Sequence, residues 1–145
     1  MKSLRTLFAA TLLSVVVSGC YKPGCTDPAA LNYDSKAKQD DISCSYTASV
    51  TFWTTVAERD NLIALGHNML RFELEGVMVD SIATTGFAST SGGCNTSGTK
   101  TIAREFAGNT ERTYKYRVKG DDYVTVYEGF VILKVDDCVS VKLEL

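Results

Sequence analysis

The sequence predicts an all-β protein: an antiparallel β-sandwich of about seven strands, preceded by an export signal and a short disulfide-closed segment. Three observations carry this. After Tyr46, apolar and polar side chains alternate in short runs, the period of a half-buried strand. Gly, Asp, Asn and Ser cluster between the runs as turn formers. No stretch after Tyr46 sustains a helical period, although Glu58 to Leu65 has room for one or two turns.

The first 19 residues read as a secretory signal rather than as structure. Lys2 and Arg5 form a positive start, Leu7 to Val17 an apolar run, and Ser18 and Gly19 a small-residue end. The run is shorter than the roughly 20 apolar residues that span a bilayer. Val17-Ser18-Gly19-Cys20 resembles a lipobox, the processing signal of bacterial lipoproteins. The resemblance implies a diacylglycerol thioether on Cys20, cleavage before it, and acylation, as by palmitate, of the new amine. Two or more acyl chains anchor stably where one binds marginally. The membrane is therefore an expected partner. Tyr21 is not the aspartate of a retention signal, and the expected location is the cell envelope, at the outer membrane.

Cysteine counting agrees with export. The five are Cys20, Cys25, Cys44, Cys94 and Cys138. Lipidation of Cys20 leaves four, in a compartment where disulfides persist. Of three possible pairings, Cys25–Cys44 and Cys94–Cys138 are expected, each inside its own segment; the rival joins Cys25 or Cys44 to the later cysteines. A zinc site is not expected: there is no Cys-x-x-Cys, and His67, the single histidine, lies far from every cysteine. Of 15 basic residues, loss of Lys2 and Arg5 leaves 13 against 17 acidic ones, a net charge near −4. No basic patch interleaved with aromatics is present, so nucleic acid is not an expected partner.

Residues 20–45 form a lipidated, polar, turn-rich spacer holding both prolines, Pro23 and Pro28. It has too few apolar residues to hold itself without a staple. The expected staple, Cys25–Cys44, is worth about 3 kcal/mol by chain entropy. Gly24-Cys25-Thr26-Asp27-Pro28, Ala30, Asn32-Tyr33-Asp34, Ala37, Asp40-Asp41 and Ser43-Cys44 resemble a short repeat of surface and secreted proteins of Gram-negative bacteria. Ser35 replaces a usual proline. Ile42 replaces a glycine, so a positive φ there would be strained. Asp27, Asn32, Asp34, Asp40 and Asp41 supply the oxygen ligands that calcium prefers, but match no EF-hand spacing; turn formation is the expected role. No cofactor is expected.

Residues 46–145 are the expected sandwich. Tyr46, Ala48, Val50, Phe52 and Val56 alternate with Thr47, Ser49, Thr51 and Thr55. Leu70, Phe72 and Leu74 alternate with Arg71, Glu73 and Glu75, and Gly76 turns into a strand from Val77 to Thr84. Thr85 to Gly98 reads as a long polar loop around Cys94. Lys100 to Phe106 is a further strand. Tyr114, Tyr116 and Val118 alternate with Lys115, Arg117 and Lys119, closed by Gly120-Asp121-Asp122. Tyr123 to Val135 and Cys138 to Leu145 read as a final pair joined by Asp136-Asp137.

Phe52-Trp53-Thr54, Gly66-His67-Asn68, Gly93-Cys94, Tyr114-Lys115-Tyr116, Gly129, Val131, Leu133, Cys138 and Leu143 follow the order of motifs in small lipoproteins of the same bacteria. The ending also resembles a carboxypeptidase-regulatory-like or PEGA-type domain. Those resemblances imply an immunoglobulin- or transthyretin-like sandwich and an envelope location, with no activity attached.

Candidate sites are few. Trp53 points away from Phe52, onto a hydroxyl-rich face, where it would stack on a sugar or anchor a protein unless the loop around Cys94 covers it. The covered arrangement is expected. His67 reads as a turn histidine, since no Gly-x-Ser-x-Gly elbow accompanies it. Asp121-Asp122 and Asp136-Asp137 read as turn residues rather than paired catalytic carboxylates. The expected function is a non-catalytic envelope lipoprotein whose sandwich meets a protein or glycan. The alternatives are a structural subunit of an outer-membrane assembly and, more remotely, a hydrolase.

Overall fold

A computed structural model describes residues 21–144. The signal segment and Cys20 lie outside the described residues, so the lipidation expected at Cys20 has no structural counterpart here.

The architecture is a seven-stranded β-sandwich with a small module docked at one end. In the module, β1 (Pro23–Gly24) pairs in parallel with β2 (Gln39–Asp40). The sandwich begins with β3 (Ser45–Trp53), followed by helix α1 (Val56–Ala64). Then come β4 (Met69–Leu74), β5 (Val77–Ala83), β6 (Lys100–Ala107), β7 (Glu111–Lys119), β8 (Thr125–Lys134) and β9 (Cys138–Lys142). One sheet runs β6-β3-β9, the other β5-β4-β7-β8. Alternation explains the layering: Tyr46, Ala48, Val50 and Phe52 of β3 are buried between the sheets. Opposite them lie Leu70, Phe72 and Leu74 of β4, Tyr114 and Val118 of β7, and Val131 and Leu133 of β8. Phe52 sits 5.1 Å from both the Phe72 and Tyr116 rings. Truncating so buried a phenylalanine to alanine costs about 3–5 kcal/mol.

Three features differ from the sequence reading. The last two strands are not a hairpin, and the sandwich is not wholly antiparallel. β9 leaves β8 and pairs in parallel with β3, Val50 opposite Val139 and Phe52 opposite Val141. The link makes the crossing: the Asp136 N–H donates to Thr47 O at 3.0 Å, and the Ser49 N–H to Asp137 O at 2.9 Å. Asp136 takes a φ of 55° there. Second, Val56 opens a nine-residue helix rather than ending a strand. Thr55 caps it by accepting the Glu58 N–H at 3.2 Å. Gly66, at φ 89°, closes it with the paired bonds Gly66 N to Ile63 O and His67 N to Leu62 O. Only Leu62 of the helix is buried, so its hydrophobic pattern is faint. Third, the segment after β5 is anchored by its own apolar residue. A turn at Thr84–Gly86 delivers Phe87, fully buried, 5.7 Å from Phe72.

Both disulfides form as expected, Cys25–Cys44 and Cys94–Cys138, with Cα separations of 4.8 and 6.4 Å. Cys94–Cys138 lies on the outer face of β3, where the buried Thr51 hydroxyl meets Cys94 Sγ at 3.2 Å, Cys138 Sγ at 3.5 Å and Thr101 Oγ1 at 2.6 Å. Residues 87–99, which carry Cys94, thus form a strap over this face, and Gly98 is required in it: at φ 79°, any Cβ would overlap the Ala88 carbonyl.

The N-terminal module is bonded to the sandwich. Tyr46 Oη donates to Asp27 Oδ2 at 2.7 Å, the Leu31 N–H to Ser45 O, and the Gly108 N–H to Cys44 O. Ile42 has a φ of 63° and an exposed side chain. A β-branched residue in the left-handed region costs about 1–2 kcal/mol, which glycine relieves while losing part of the gain to unfolded-chain entropy. Ile42→Gly is therefore expected to stabilise the protein by about 1 kcal/mol. Chemical unfolding checks this; a loss of stability would contradict the strain.

Candidate functional site

The register places two different surfaces at the two ends of the sandwich. The module sits where β3 begins. Where β3 ends lie Trp53, α1 and the turns at 66–68 and 120–124, a distal rim built from loops held by hydrogen bonds.

The bonds are specific. Tyr127 Oη donates to Glu58 Oε1 at 2.9 Å, fastening the start of β8 to α1. The Asn68 N–H donates to Asp121 Oδ2 at 2.6 Å, which joins the two turns. Arg71 donates to Gly120 O at 3.0 Å, lies 3.6 Å from Asp121 Oδ1, and stacks its guanidinium 4.7 Å above the Tyr123 ring. Gly120 is buried against the His67 ring, where a Cβ would overlap the imidazole. The Asn68 N–H and its neighbours hold the Asp121 carboxyl below the usual carboxylate range. This scaffold leaves Leu65, Tyr123 and Val124 exposed at its tip, each close to 60 %.

Trp53 lies on the outer face of β3, as alternation requires, and the strap reaches it. The Ser89 N–H donates to Thr54 O at 2.9 Å. Gly92 then lies so close that a Cβ would overlap Trp53 Nε1 and Ser140 Oγ. Lys142, opposite Trp53 on β9, places its ammonium 5.6 Å over the indole and pairs with Glu144. The indole is thus half-buried, with the strap at its edge and a cation on its face.

Beside it, between β8 and β9, opens a cleft of about 370 Å³ lined by Tyr116, Tyr127, Glu128, Lys142 and Glu144 among others. Burial pushes the Tyr116 phenol up. Burial, then the Glu58 carboxylate, pushes Tyr127 well above the ordinary phenol range. Both phenols stay protonated. The hydrogen bond from Lys115, then Arg117, holds Glu128 below the usual carboxylate range. These groups are suited to hydrogen bonding and stacking.

The other sequence candidates serve turns. Asp122 Oδ1 accepts the Val124 N–H and Asp137 Oδ1 the Cys138 N–H. In the module, Asp27 accepts the Ala29 N–H, Asp34 the Lys36 N–H, Asp40 the Ile42 N–H and Asp41 the Ser43 N–H, while Asn32 clamps Ser43 and Ser45. Lys22 pairs with Asp34. Among the described residues no group of three or more His, Cys, Asp or Glu is arranged to hold a metal ion. The roles of Arg71, Tyr123, Tyr127 and Lys142 went unread in the sequence. Each depends on which turns share an end.

No family model, curated protein or solved structure matches the chain. Among the described residues no helix is long and apolar enough to cross a membrane.

Trp53 is the single tryptophan, so its fluorescence reports on the surroundings of this one indole. Gly92→Ala is expected to lift the strap from the indole, shifting emission to the red and raising acrylamide quenching. Unchanged emission would mean that Gly92 does not cover the ring.

Proposed function

We propose that this protein is a non-catalytic, lipid-anchored protein of the cell envelope. Its sandwich presents the distal rim to a protein or glycan. The observation that carries this reading is the end-to-end arrangement. The module that follows Cys20 is bonded to one end of the sandwich. The exposed Leu65, Tyr123 and Val124 crown the opposite end. A lipid on Cys20 would hold the first end at the bilayer and aim the second away from it. The disulfides support an oxidising compartment. They also consume the four later cysteines, leaving Cys20 as the odd one available for acylation. Tyr123 over Arg71 supplies the aromatic–cation pairing common at binding hot spots.

One set of strains tests both halves of the reading. Cells carrying the full chain are labelled with a fatty-acid analogue, with a photocrosslinking side chain at Tyr123 or, as control, at Asn109 near the module. Labelling is expected, and is expected to vanish in Cys20→Ser. Crosslinked adducts, or glycan adducts, are expected from Tyr123 and not from Asn109. Labelling that persists without Cys20 would overturn the anchor, and adducts equal at both positions would overturn the rim.

A further inference from the structure

We propose that β8 is the interface of a twofold dimer, pairing antiparallel with β8 of a second copy, Val131 opposite Val131. The inference does not depend on the lipid anchor.

Among the described residues β8 is the longest strand, and it lies at the edge of its sheet, paired on one side only, with β7. An edge of this kind offers a row of backbone donors and acceptors to another strand unless it is blunted by charge, proline, a bulge or a covering element. On the opposite flank of the sandwich Lys100 of β6 reaches across to Asp80 of β5 at 2.6 Å. On this flank β8 borders β9, with the cleft between them and no backbone ladder joining them. The one irregularity of β8 against β7 falls at its first turn, between Val118 and Lys119, and the ladder then runs unbroken from Tyr127 to Lys134. No proline interrupts β8, and its outer face carries two exposed large apolar side chains, Phe130 at 72 % and Ile132 at 51 %.

The pattern on that face is self-complementary. Outward residues are Glu128, Phe130, Ile132 and Lys134, with the charges at opposite ends. With Val131 on the twofold axis, Phe130 meets the second copy's Ile132, and Glu128 meets the second copy's Lys134. The rows continue into the existing sheet, where Glu128 lies opposite Arg117, which lies opposite Glu73, and Lys134 lies opposite Glu111. The joined row therefore alternates in sign: Glu73, Arg117, Glu128, then the second copy's Lys134 and Glu111. Other registers fail. Centring on Phe130 sets Glu128 against Ile132. Centring on Ile132 sets Phe130 against Lys134 and Glu128 against Asp136, two like charges. An odd shift sets outward residues against inward ones. Favourable cross-strand pairs thus exist in one register, and a twofold edge contact closes as a dimer without further growth.

The test is charge reversal with rescue, read by sedimentation equilibrium of the full mature chain in density-matched detergent. The native protein is expected to dimerise in the micromolar range. Glu128→Lys and Lys134→Glu should each weaken self-association about ten-fold or more, because each sets like charges opposite each other twice per dimer. The double variant should restore it. The two single variants, mixed, should form a heterodimer, an outcome no merely structural role of either residue would produce. Thermal melting of each variant establishes that it is folded. A native monomer throughout the range, reversals without effect, or a photocrosslinker at Phe130 that captures only a different envelope protein would each overturn the proposal.

Discussion

The structure depends on the alternation of a single strand. Along β3, Tyr46, Ala48, Val50 and Phe52 enter the core, and Thr47, Ser49, Thr51 and Trp53 face outward. β3 is the central strand of its sheet, so β6 and β9 both take their register from it. Its first residues bond the N-terminal module, its middle carries the Cys94–Cys138 bridge on Thr51, and its end feeds the cap of α1. A slip of one residue would turn Phe52 to solvent and Trp53 inward. The aromatic cluster around Phe52 makes such a slip costly, and so the strand fixes three attachments at once.

Much of this was legible because a half-buried strand writes its period into the sequence. The inward sets of β3, β4, β7 and β8 could be read directly, and so could the disulfides, since each closes within a segment of its own. The crossing of β9 could not. Asp136-Asp137 between two apolar runs is what a hairpin would also show; only the bonds from Thr47 and Ser49 decide that the chain changes sheets. The helix left a clearer trace, in Thr55-Val56-Ala57-Glu58 at its start and Gly66 at its end, a capping pattern that its weak amphipathicity obscured. Phe87 is a single apolar residue in a polar run, and no periodicity could flag it. The distal rim was illegible for a different reason. Arg71, Asp121 and Tyr123 are ordinary strand-end and turn residues until topology brings the turns at 66–68 and 120–124 to the same end.

The charges on the four-stranded sheet illustrate how weak interactions organise a surface. Lys115 and Arg117 share Glu128 at 3.1 and 3.4 Å, Lys119 pairs with Glu73 at 2.7 Å, and Lys134 with Glu111 at 3.8 Å. Glu73 is buried, but the other pairs are exposed, and pairs of that kind contribute roughly 0–1 kcal/mol each. Their value lies in arrangement. Rows of alternating sign discourage the wrong neighbours and leave Phe130 and Ile132 as the apolar interruption. The three-stranded sheet solves its outer face differently, with the Thr51 hydroxyl buried under a strap pinned by a disulfide and by Phe87.

The crossing of β9 is the least expected element of this architecture and the one on which the strap, Trp53 and the open β8 flank all depend. Nuclear Overhauser contacts in the isotope-labelled full chain, held in detergent micelles, test it directly. Contacts of parallel strands are expected between Thr51 and Ser140 and between Phe52 and Val141. Antiparallel hairpin contacts between Leu133 or Lys134 and Val139, without the β3 contacts, would contradict it.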